Sequence, residues 1–376
     1  MRDTRARSAH VRRSSGHLAD GRELIYFDDR EPYASGGAQR SFDDRRPLEP
    51  HASDSRMRFD ELAGEWVTFA THRMDRTHLP PADQCPLCPT RPGHQPTEIP
   101  ADDYDVVVFE NRFPSFAGDP IEGHSDGSTT DVPAHGRCEV VCFTSDHSTS
   151  FHELGVSRVR TVIEAWADRT AELSARPGVA QVSVFENRGK EIGVTLHHPH
   201  GQIYAYPFVV PRTEAMLRQA RRDRRGEEHD LLGDLLAAEI AAGTRIVARG
   251  SSWTAYVPVA ARWPVDVRVV PHRNVPDLAA LNDDERDELA VVYPELLRRF
   301  DAFYPRVAKV PYIAAWHQAP VGEGRDLCRL HLHLFSIMRA PRKLKYLAGS
   351  ESAMGAWVND TTPERIAARL QELARD

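Results

Sequence analysis

The sequence predicts an α+β protein built from two related halves, each a mainly antiparallel sheet covered by helices. Short β-type runs bounded by Gly, Pro, Asp and Asn alternate with segments whose apolar residues recur at helical spacing. This order occurs twice along the 376 residues, and each half contains a His-x-His sequence in a strand-like run. A chain of this length can bury a substantial core, so we expect the halves to pack as one doubled unit.

The first half is predicted over residues 56–212, after a flexible N-terminal arm over residues 1–55. The arm is rich in Arg, Asp, Ser and Gly and poor in aliphatic residues, apart from Leu24–Phe27. Strands are predicted at Val106–Phe109, Glu139–Phe143, Gln181–Glu186 and Gln202–Val210. A covering helix is predicted from the apolar spacing of Val156, Val159, Ile163, Trp166 and Leu173.

The second half, residues 213–376, repeats this pattern. A helix through Leu231, Leu235 and Ile240 comes first. Strands are predicted at Trp253–Val259, Val265–Val270, Tyr312–Trp316 and Leu330–Ile337. A covering helix carries Leu289, Val292, Leu296 and Phe300, with Pro294 predicting a kink, and the last helix begins with Thr362 as cap and Pro363 at its first position.

Composition excludes several classes of protein. The net charge is −7 and the basic residues are spread along the chain, so we expect no nucleic-acid partner. No apolar stretch approaches the roughly 20 residues that cross a bilayer, and no secretory signal begins the chain, so we expect a cytoplasmic protein without a membrane partner. With five cysteines and no export signal, we expect no disulfide framework: Cys138, Cys142 and Cys328 are predicted core residues.

Two histidines, His198 and His200, are the strongest candidates for chemistry. Alternate strand residues share a face, and Pro199 between them indicates an edge or a loop. Gly201 lets backbone approach a ligand, and Gln202 supplies a neutral amide, which favours a phosphate ligand. A neutral imidazole is a competent nucleophile at phosphorus, so His200 suits nucleotidyl transfer. The alternative is that these histidines are ordinary core or surface residues.

The run Phe185–Gly189, followed by Gly193 and by His198–Gln202, resembles the active-site stretch of galactose-1-phosphate uridylyltransferases, members of the histidine-triad superfamily. The resemblance implies two histidine-triad-like halves and a role in galactose metabolism. It implies that His200 attacks the α-phosphorus of UDP-glucose, and that galactose 1-phosphate then accepts UMP. Gln202 stands where histidine-triad hydrolases have a third histidine, which favours transfer over hydrolysis.

The same resemblance assigns substrate contacts outside this motif. It implies that Asn187 hydrogen-bonds the transferred phosphoryl group while Arg188 and Gly189 continue the loop around it, and that Asn111 reads uracil and ribose. Arg73 and Arg76 would meet the diphosphate from a neighbouring subunit, and Lys345 and Glu351 would contact phosphate and hexose across a homodimer. The full set of substrate-binding candidates is Arg73, Arg76, Asn111, Asn187, Gly193, Thr195, Lys345 and Glu351.

One metal site is expected, and the family resemblance suggests a second whose ligand set lacks one histidine. Cys85 and Cys88 are spaced to hold one zinc ion through two thiolates, although such a pair also suits redox chemistry. The resemblance supplies His147 and His198 as the remaining zinc ligands. It also implies a second metal, iron or zinc, at Glu214, His331 and His333, with Asn274 in place of a further histidine unless His272 substitutes for it. His317 is assigned to core packing.

Two rival functions remain open at this point. An ADP-hexose or dinucleoside-polyphosphate phosphorylase of the same superfamily would use the same nucleophile with a different base and acceptor. A catalytically inactive protein that binds zinc and nucleotide would use His200 and Gln202 only to hold phosphate. Labelling of the protein by UMP would distinguish transfer from binding.

Overall fold

The computed structural model describes residues 11–51, 53–120, 131–223 and 230–374. The strands are β1 (Arg12–His17), β2 (Glu23–Asp28), β3 (Arg56–Asp60), β4 (Glu65–Phe69), β5 (Val106–Glu110), β6 (Asp131–Pro133), β7 (Arg137–Cys142), β8 (Gln181–Arg188), β9 (His200–Tyr206), β10 (Ile246–Arg249), β11 (Trp253–Tyr256), β12 (Val265–Pro271), β13 (Tyr312–His317), β14 (His331–Ser336), β15 (Met338–Ala340) and β16 (Lys343–Leu344). The helices are α1 (Val156–Ser174), α2 (Pro211–Arg222), α3 (Leu231–Ala242), α4 (Asp283–Ala302), α5 (Gly349–Ser352) and α6 (Pro363–Glu372).

One antiparallel sheet of eleven strands joins the two halves, in the order β1-β2-β5-β7-β9-β8-β13-β14-β12-β11-β10. The halves meet where β8 pairs with β13, with Tyr312 opposite Arg188 and Trp316 opposite Val184. Each half therefore has a strand that begins with a histidine of its His-x-His sequence, His200 on β9 and His331 on β14, one strand away from the junction. The α+β class and the doubled architecture predicted from the sequence are confirmed.

Helices α1 and α4 cover one face of this sheet, and the largest core cluster lies between them and the strands. Phe151 stacks on Trp166 with ring centroids 5.9 Å apart, and Tyr293 of α4 packs against both rings. Asn282 caps α4 in a capping box with Glu285. The predicted covering helices are thus confirmed, as is the last helix, which Thr362 caps.

The predicted flexible arm is corrected over its described part, because β1 and β2 are the outermost strands of the main sheet. Leu24 and Tyr26 have no exposed surface. The arm's charged residues are paired rather than solvated: the buried Arg22 side chain contacts Asp20 at 2.7 Å and Glu98 at 2.5 Å. The composition suggested disorder because arginine and aspartate side chains are usually exposed to solvent. Charged side chains can nevertheless be buried when they are paired. Residues 1–10 lie outside the described residues.

The three cysteines predicted to be core residues differ in their burial. Cys138 and Cys142 are fully buried, as predicted, whereas Cys328 is only half-buried and lines a cavity. Among the helices of the described ranges, none is both long and apolar enough to cross a membrane.

Candidate active site and metal centre

His200 is the first residue of β9, a central strand between β7 and β8. It lies opposite Cys142 of β7, and Gln202 lies opposite Val140 and Phe185. Pro199 ends the preceding loop, where its missing N–H breaks no ladder bond. The sequence indicated that Pro199 lies either at a sheet edge or in a loop, and the structure shows the loop.

The imidazole of His200 has a defined orientation. Its Nδ1 lies 2.7 Å from the carbonyl oxygen of His198, so Nδ1–H donates there and Nε2 keeps its lone pair. Burial lowers the pKa of His200 below the ordinary value, which favours the neutral ring. His200 lines two separate cavities. The arrangement offers a neutral nitrogen nucleophile to ligands on both sides.

The first of these, the Asn111 cavity, has a volume of about 170 Å³. Five predicted site residues line it together with His200: Arg73, Arg76, Asn111, Thr195 and Gln202. The turn after β5 builds one wall, because Asn111 Oδ1 accepts the backbone N–H of Phe113 at 2.9 Å. The Arg73 guanidinium donates to the Phe113 carbonyl at 3.0 Å and so braces the same turn.

Arg73 and Arg76 thus face His200 of their own chain, whereas the resemblance assigned them to a neighbouring subunit. Both lie in or directly after the single turn of 3₁₀ helix over Thr71–Asp75. Arg76 Nε donates to the carbonyl of Arg73 at 3.0 Å, which holds the two guanidinium groups on one short segment. Desolvation and the neighbouring Arg73 charge lower the pKa of Arg76. Such a pair of cations favours an anionic ligand.

The second, the Asn187 cavity, has a volume of about 470 Å³ and lies between the end of β8 and residues 309–311. Asn187, Lys190 and Lys309 line it, so it offers an amide and two ammonium groups close to His200. Arg188 also lines it, but its guanidinium is engaged by Asp301 at 2.9 Å and by the Val310 carbonyl at 2.6 Å. Arg188 therefore ties the two halves together, which the sequence did not indicate.

Two glycines of the motif, Gly193 and Gly201, were expected to lie next to a ligand, but their surroundings indicate structural roles instead. Gly193 has a φ of 81°, a left-handed conformation that ends the 3₁₀ helix Lys190–Ile192, and it lines neither cavity. Gly201 points to the helix-covered side of the sheet: a Cβ there would lie 2.9 Å from the Phe143 ring and 3.0 Å from the Phe185 carbonyl oxygen. Gly201 thus permits close core packing rather than approach to a ligand.

The four predicted zinc ligands come together. The ligand atoms of Cys85, Cys88, His147 and His198 all lie within 4.8 Å of one another. The Cys88 sulfur lies 3.4 Å from His147 Nδ1 and 3.6 Å from His198 Nδ1. The hydrogen bond between the two cysteines lowers the pKa of the Cys85 thiol to about 3 and raises the pKa of the Cys88 thiol, so the pair holds one thiolate before a metal displaces the second proton. Two thiolates and two imidazoles form a set that could bind a metal ion.

The surroundings of His198 fit this role. Its Nε2 lies 2.8 Å from the Thr144 carbonyl oxygen and 2.8 Å from the Tyr104 hydroxyl, while Nδ1 faces the cysteines. Metal-bound histidines usually donate their second ring N–H to such an acceptor, which fixes the ring and its tautomer. Tyr104 has no exposed surface and donates its own hydroxyl to the Leu87 carbonyl at 2.8 Å. Its position before β5 gave no sequence signal for this contact.

The proposed second metal set does not assemble. Among the described residues, only the Cys85 group brings three or more potential ligand atoms this close together, so Glu214, His331 and His333 form no such group. The Nε2 of His333 is engaged by Asp266 at 2.9 Å, and the Nδ1 of His331 by the Arg329 carbonyl at 3.0 Å. Asn274 is exposed on a loop.

The side chain that does join these histidines is His317, which sequence reasoning assigned to core packing. It lies opposite His331 on the neighbouring strand, with ring centroids 4.7 Å apart. Pairing the predicted strands Tyr312–Trp316 and Leu330–Ile337 in an antiparallel register could have revealed this neighbour.

Lys345 and Glu351 form an ion pair at 2.9 Å in the second half. Lys345 Nζ also donates to the Arg262 carbonyl at 2.9 Å and lies about 6 Å from the Trp263 ring. Neither residue lines the Asn111 or the Asn187 cavity of the same chain. The structure therefore places Arg73, Arg76, Asn111, Asn187 and Thr195 in the cavities beside His200 but leaves this pair, like Gly193, outside them.

Comparison with known proteins identifies both halves. A family model described as the N-terminal domain of galactose-1-phosphate uridyl transferase matches residues 46–210, and one for the C-terminal domain matches residues 216–376. The galactose-1-phosphate uridylyltransferase of Streptomyces lividans is 47% identical over 97% of this chain and 98% of its own length. That of Thermotoga maritima is 33% identical over 84% of this chain and 98% of its own.

Solved structures agree on the fold. A uridylyltransferase structure with 30% identity superposes with a TM-score of 0.73 and covers 85% of this chain and 98% of that chain. An ADP-glucose phosphorylase from Arabidopsis thaliana with bound ADP-glucose superposes with a TM-score of 0.63 over 85% of this chain and 99% of that chain. At 19% identity the second similarity shows the fold alone.

Proposed function

The chain belongs to the galactose-1-phosphate uridylyltransferase family, and we propose that His200 carries the transferred uridylyl group in a double displacement. The protein is a nucleotidyltransferase with UDP-glucose:hexose-1-phosphate uridylyltransferase activity. The observation that carries the residue assignment is the 2.7 Å contact from His200 Nδ1 to the His198 carbonyl, which leaves Nε2 free to attack.

In the first step, Nε2 of His200 attacks the α-phosphorus of UDP-glucose. A nitrogen–phosphorus bond forms, the bond from that phosphorus to the bridging oxygen breaks, and glucose 1-phosphate leaves with the electron pair. In the second step, a phosphate oxygen of galactose 1-phosphate attacks the same phosphorus and the nitrogen–phosphorus bond breaks. UDP-galactose is released and His200 returns to its neutral form.

The two cavities divide the substrate between them. We assign the uridine moiety to the Asn111 cavity and the departing and entering hexose phosphates to the Asn187 cavity, since His200 lines both. Arg73 and Arg76 neutralise phosphate charge, while Gln202 and Asn187 donate amide N–H bonds to the transferred phosphoryl group. Placed donors of this kind stabilise charge that develops in the transition state. Sugar-phosphate leaving groups are weak bases, so a general acid at position 202 is dispensable.

Cys85, Cys88, His147 and His198 would hold a zinc ion, because two cysteine sulfurs and two imidazoles are a donor set of structural zinc sites. Its contribution is structural: when bound, it ties the loop after β7 to the residues before β9. The carbonyl that orients His200 belongs to His198 itself, so fixing His198 fixes the nucleophile.

We further propose that the active enzyme is a homodimer in which Lys345 and Glu351 serve the partner's site. Both residues stay apart from the cavities of their own chain, although they have the charge and hydrogen-bonding capacity that a hexose phosphate needs. In this arrangement a substrate phosphate would compete for Lys345 with Glu351, which would then be free for sugar hydroxyls.

The test is to mix the protein with UDP-glucose alone and to look by intact-protein mass spectrometry for an acid-labile UMP adduct. We expect one adduct, mapped to His200, that galactose 1-phosphate discharges to UDP-galactose, and none in His200→Ala. An adduct from an ADP-sugar but not from UDP-glucose would instead indicate a phosphorylase. Absence of an adduct from either donor would indicate a protein that only binds nucleotides.

A further inference from the structure

A third cavity, the Arg268 cavity, lies in the second half between the sheet and helices α2 and α3, with a volume of about 370 Å³. One side is cationic, with Arg212 from α2, Arg262 from the loop before β12, and Arg268 from β12. Apolar side chains, among them Met216 of α2 and Leu235 of α3, complete the lining. An apolar wall facing a few convergent polar groups is typical of a site for a small organic ligand.

The floor of this cavity repeats the geometry around His200. His331 stands on β14 as His200 stands on β9, and in each case Nδ1 bonds the carbonyl of the residue two positions earlier, at 3.0 Å and 2.7 Å respectively. Nε2 of His331 therefore keeps its lone pair, as Nε2 of His200 does. His317, opposite His331 on β13, also lines the cavity.

The charges in the Arg268 cavity favour an anion. Within the described ranges, Arg212, Arg262 and Arg268 have no carboxylate within ion-pair distance. Asp266, on the same strand as Arg268, is engaged by His333 at 2.9 Å. The three guanidinium groups line the same cavity and repel one another. A metal cation would increase this repulsion, whereas an anion would relieve it.

We propose that the Arg268 cavity binds a phosphate ester, with the phosphate against Arg212, Arg268 and His331 and the organic group against Met216 and Leu235. Guanidinium groups match phosphate oxygens through paired N–H donors. The site binds its ligand without transferring it. The proposal is independent of the reaction at His200 and replaces the second metal with an anion.

The test counts UMP sites by equilibrium dialysis of the full chain with radiolabelled UMP. Asn111→Ala weakens binding beside His200, and Arg268→Leu weakens binding in the Arg268 cavity at least about tenfold, the loss expected for one charge-assisted hydrogen bond. Arg249→Leu, an exposed arginine at the end of β10 in the same half, is the matched control and leaves both sites unchanged. Inorganic phosphate alone should displace UMP from the site that Arg268→Leu affects.

The outcomes separate this proposal from the reaction at His200. A UMP site that is sensitive to Arg268→Leu and insensitive to Asn111→Ala supports the proposal, even if no adduct forms on His200. UMP binding that Arg268→Leu leaves unchanged, or that Arg249→Leu weakens equally, would overturn it. Arg212→Leu, on a different element, gives a second reading if Arg268→Leu fails to fold. Two equivalents of bound metal per chain, measured by plasma mass spectrometry, would also overturn it.

Discussion

Glu186 on β8 is a buried carboxyl group that makes the stability of the protein depend on pH. The Tyr312 hydroxyl donates to its Oε1 at 2.7 Å and the Tyr293 hydroxyl to its Oε2 at 3.2 Å. Burial nevertheless raises the pKa of Glu186 from 4.5 to about 7, because the desolvation cost of the charge exceeds these contributions. The perturbation that tests this reasoning is Glu186→Gln, which keeps the shape and removes the ionisable group.

The magnitude follows from the difference between the folded and unfolded pKa values. The folded state holds the proton more tightly, so the stabilising effect is complete below pH 4.5 and is lost as pH rises towards about 7. At about 1.36 kcal/mol per pKa unit, the total loss of stability is about 3 kcal/mol. Roughly 2 to 3 kcal/mol of it falls between pH 5 and pH 8. The glutamine side chain does not titrate, so the variant escapes this loss.

The assay is urea unfolding of the wild-type protein and of Glu186→Gln at pH 5 and at pH 8, followed by circular dichroism. Any cost of the rearranged hydrogen bonds is the same at both pH values, so the quantity to compare is the change in the difference between the two proteins. We expect Glu186→Gln to gain roughly 2 to 3 kcal/mol on the wild type between pH 5 and pH 8. An equal difference at both pH values would refute the raised pKa.

Three other substitutions test the core and the site. Glu139→Gln should destabilise the protein by about 3 to 5 kcal/mol in the same urea assay, because it removes the buried carboxylate that pairs with Arg169 at 2.8 Å and with Arg137 at 3.1 Å, and leaves Arg169 only the partly exposed Glu172 as a close partner; an unchanged midpoint would contradict this. His200→Ala should abolish the UMP adduct while keeping the metal content and the unfolding midpoint. Cys88→Ser should lose the metal, measured by plasma mass spectrometry, and lower the melting temperature. Equal loss of stability in the last two variants would disprove the division between nucleophile and ligand.

The sequence predicted the strands and covering helices well because their apolar spacing reports burial directly. It also indicated His200, since its neighbours form a distinctive motif. It did not predict that β1 and β2 are folded strands. There Arg22 and Arg40 are buried against acidic partners at 2.5 to 2.7 Å, and these ion pairs fill buried positions that aliphatic residues usually occupy. Pairing between residues distant in sequence is invisible to composition and to local periodicity.

The family resemblance likewise could not predict contacts that only the fold creates. It gave the residue types of a second metal site but not the charges around them, which come from separate elements. Arg212 and Arg268 lie 56 positions apart in the numbering, on α2 and β12, and only the fold brings them to one cavity. Their like charges decide against a cation there, although the histidines alone favour one.

The two halves orient equivalent histidines by different means. In the first half, the carbonyl that fixes His200 belongs to His198, whose side chain is a member of the Cys85 metal group. In the second half, the carbonyl that fixes His331 belongs to Arg329, whose guanidinium donates to the Pro271 carbonyl at 2.8 Å and is paired with Asp230. An arginine network therefore holds the histidine of one half where a bound metal ion would hold that of the other. Removal of the metal should disturb the orientation of His200 and leave that of His331 unchanged.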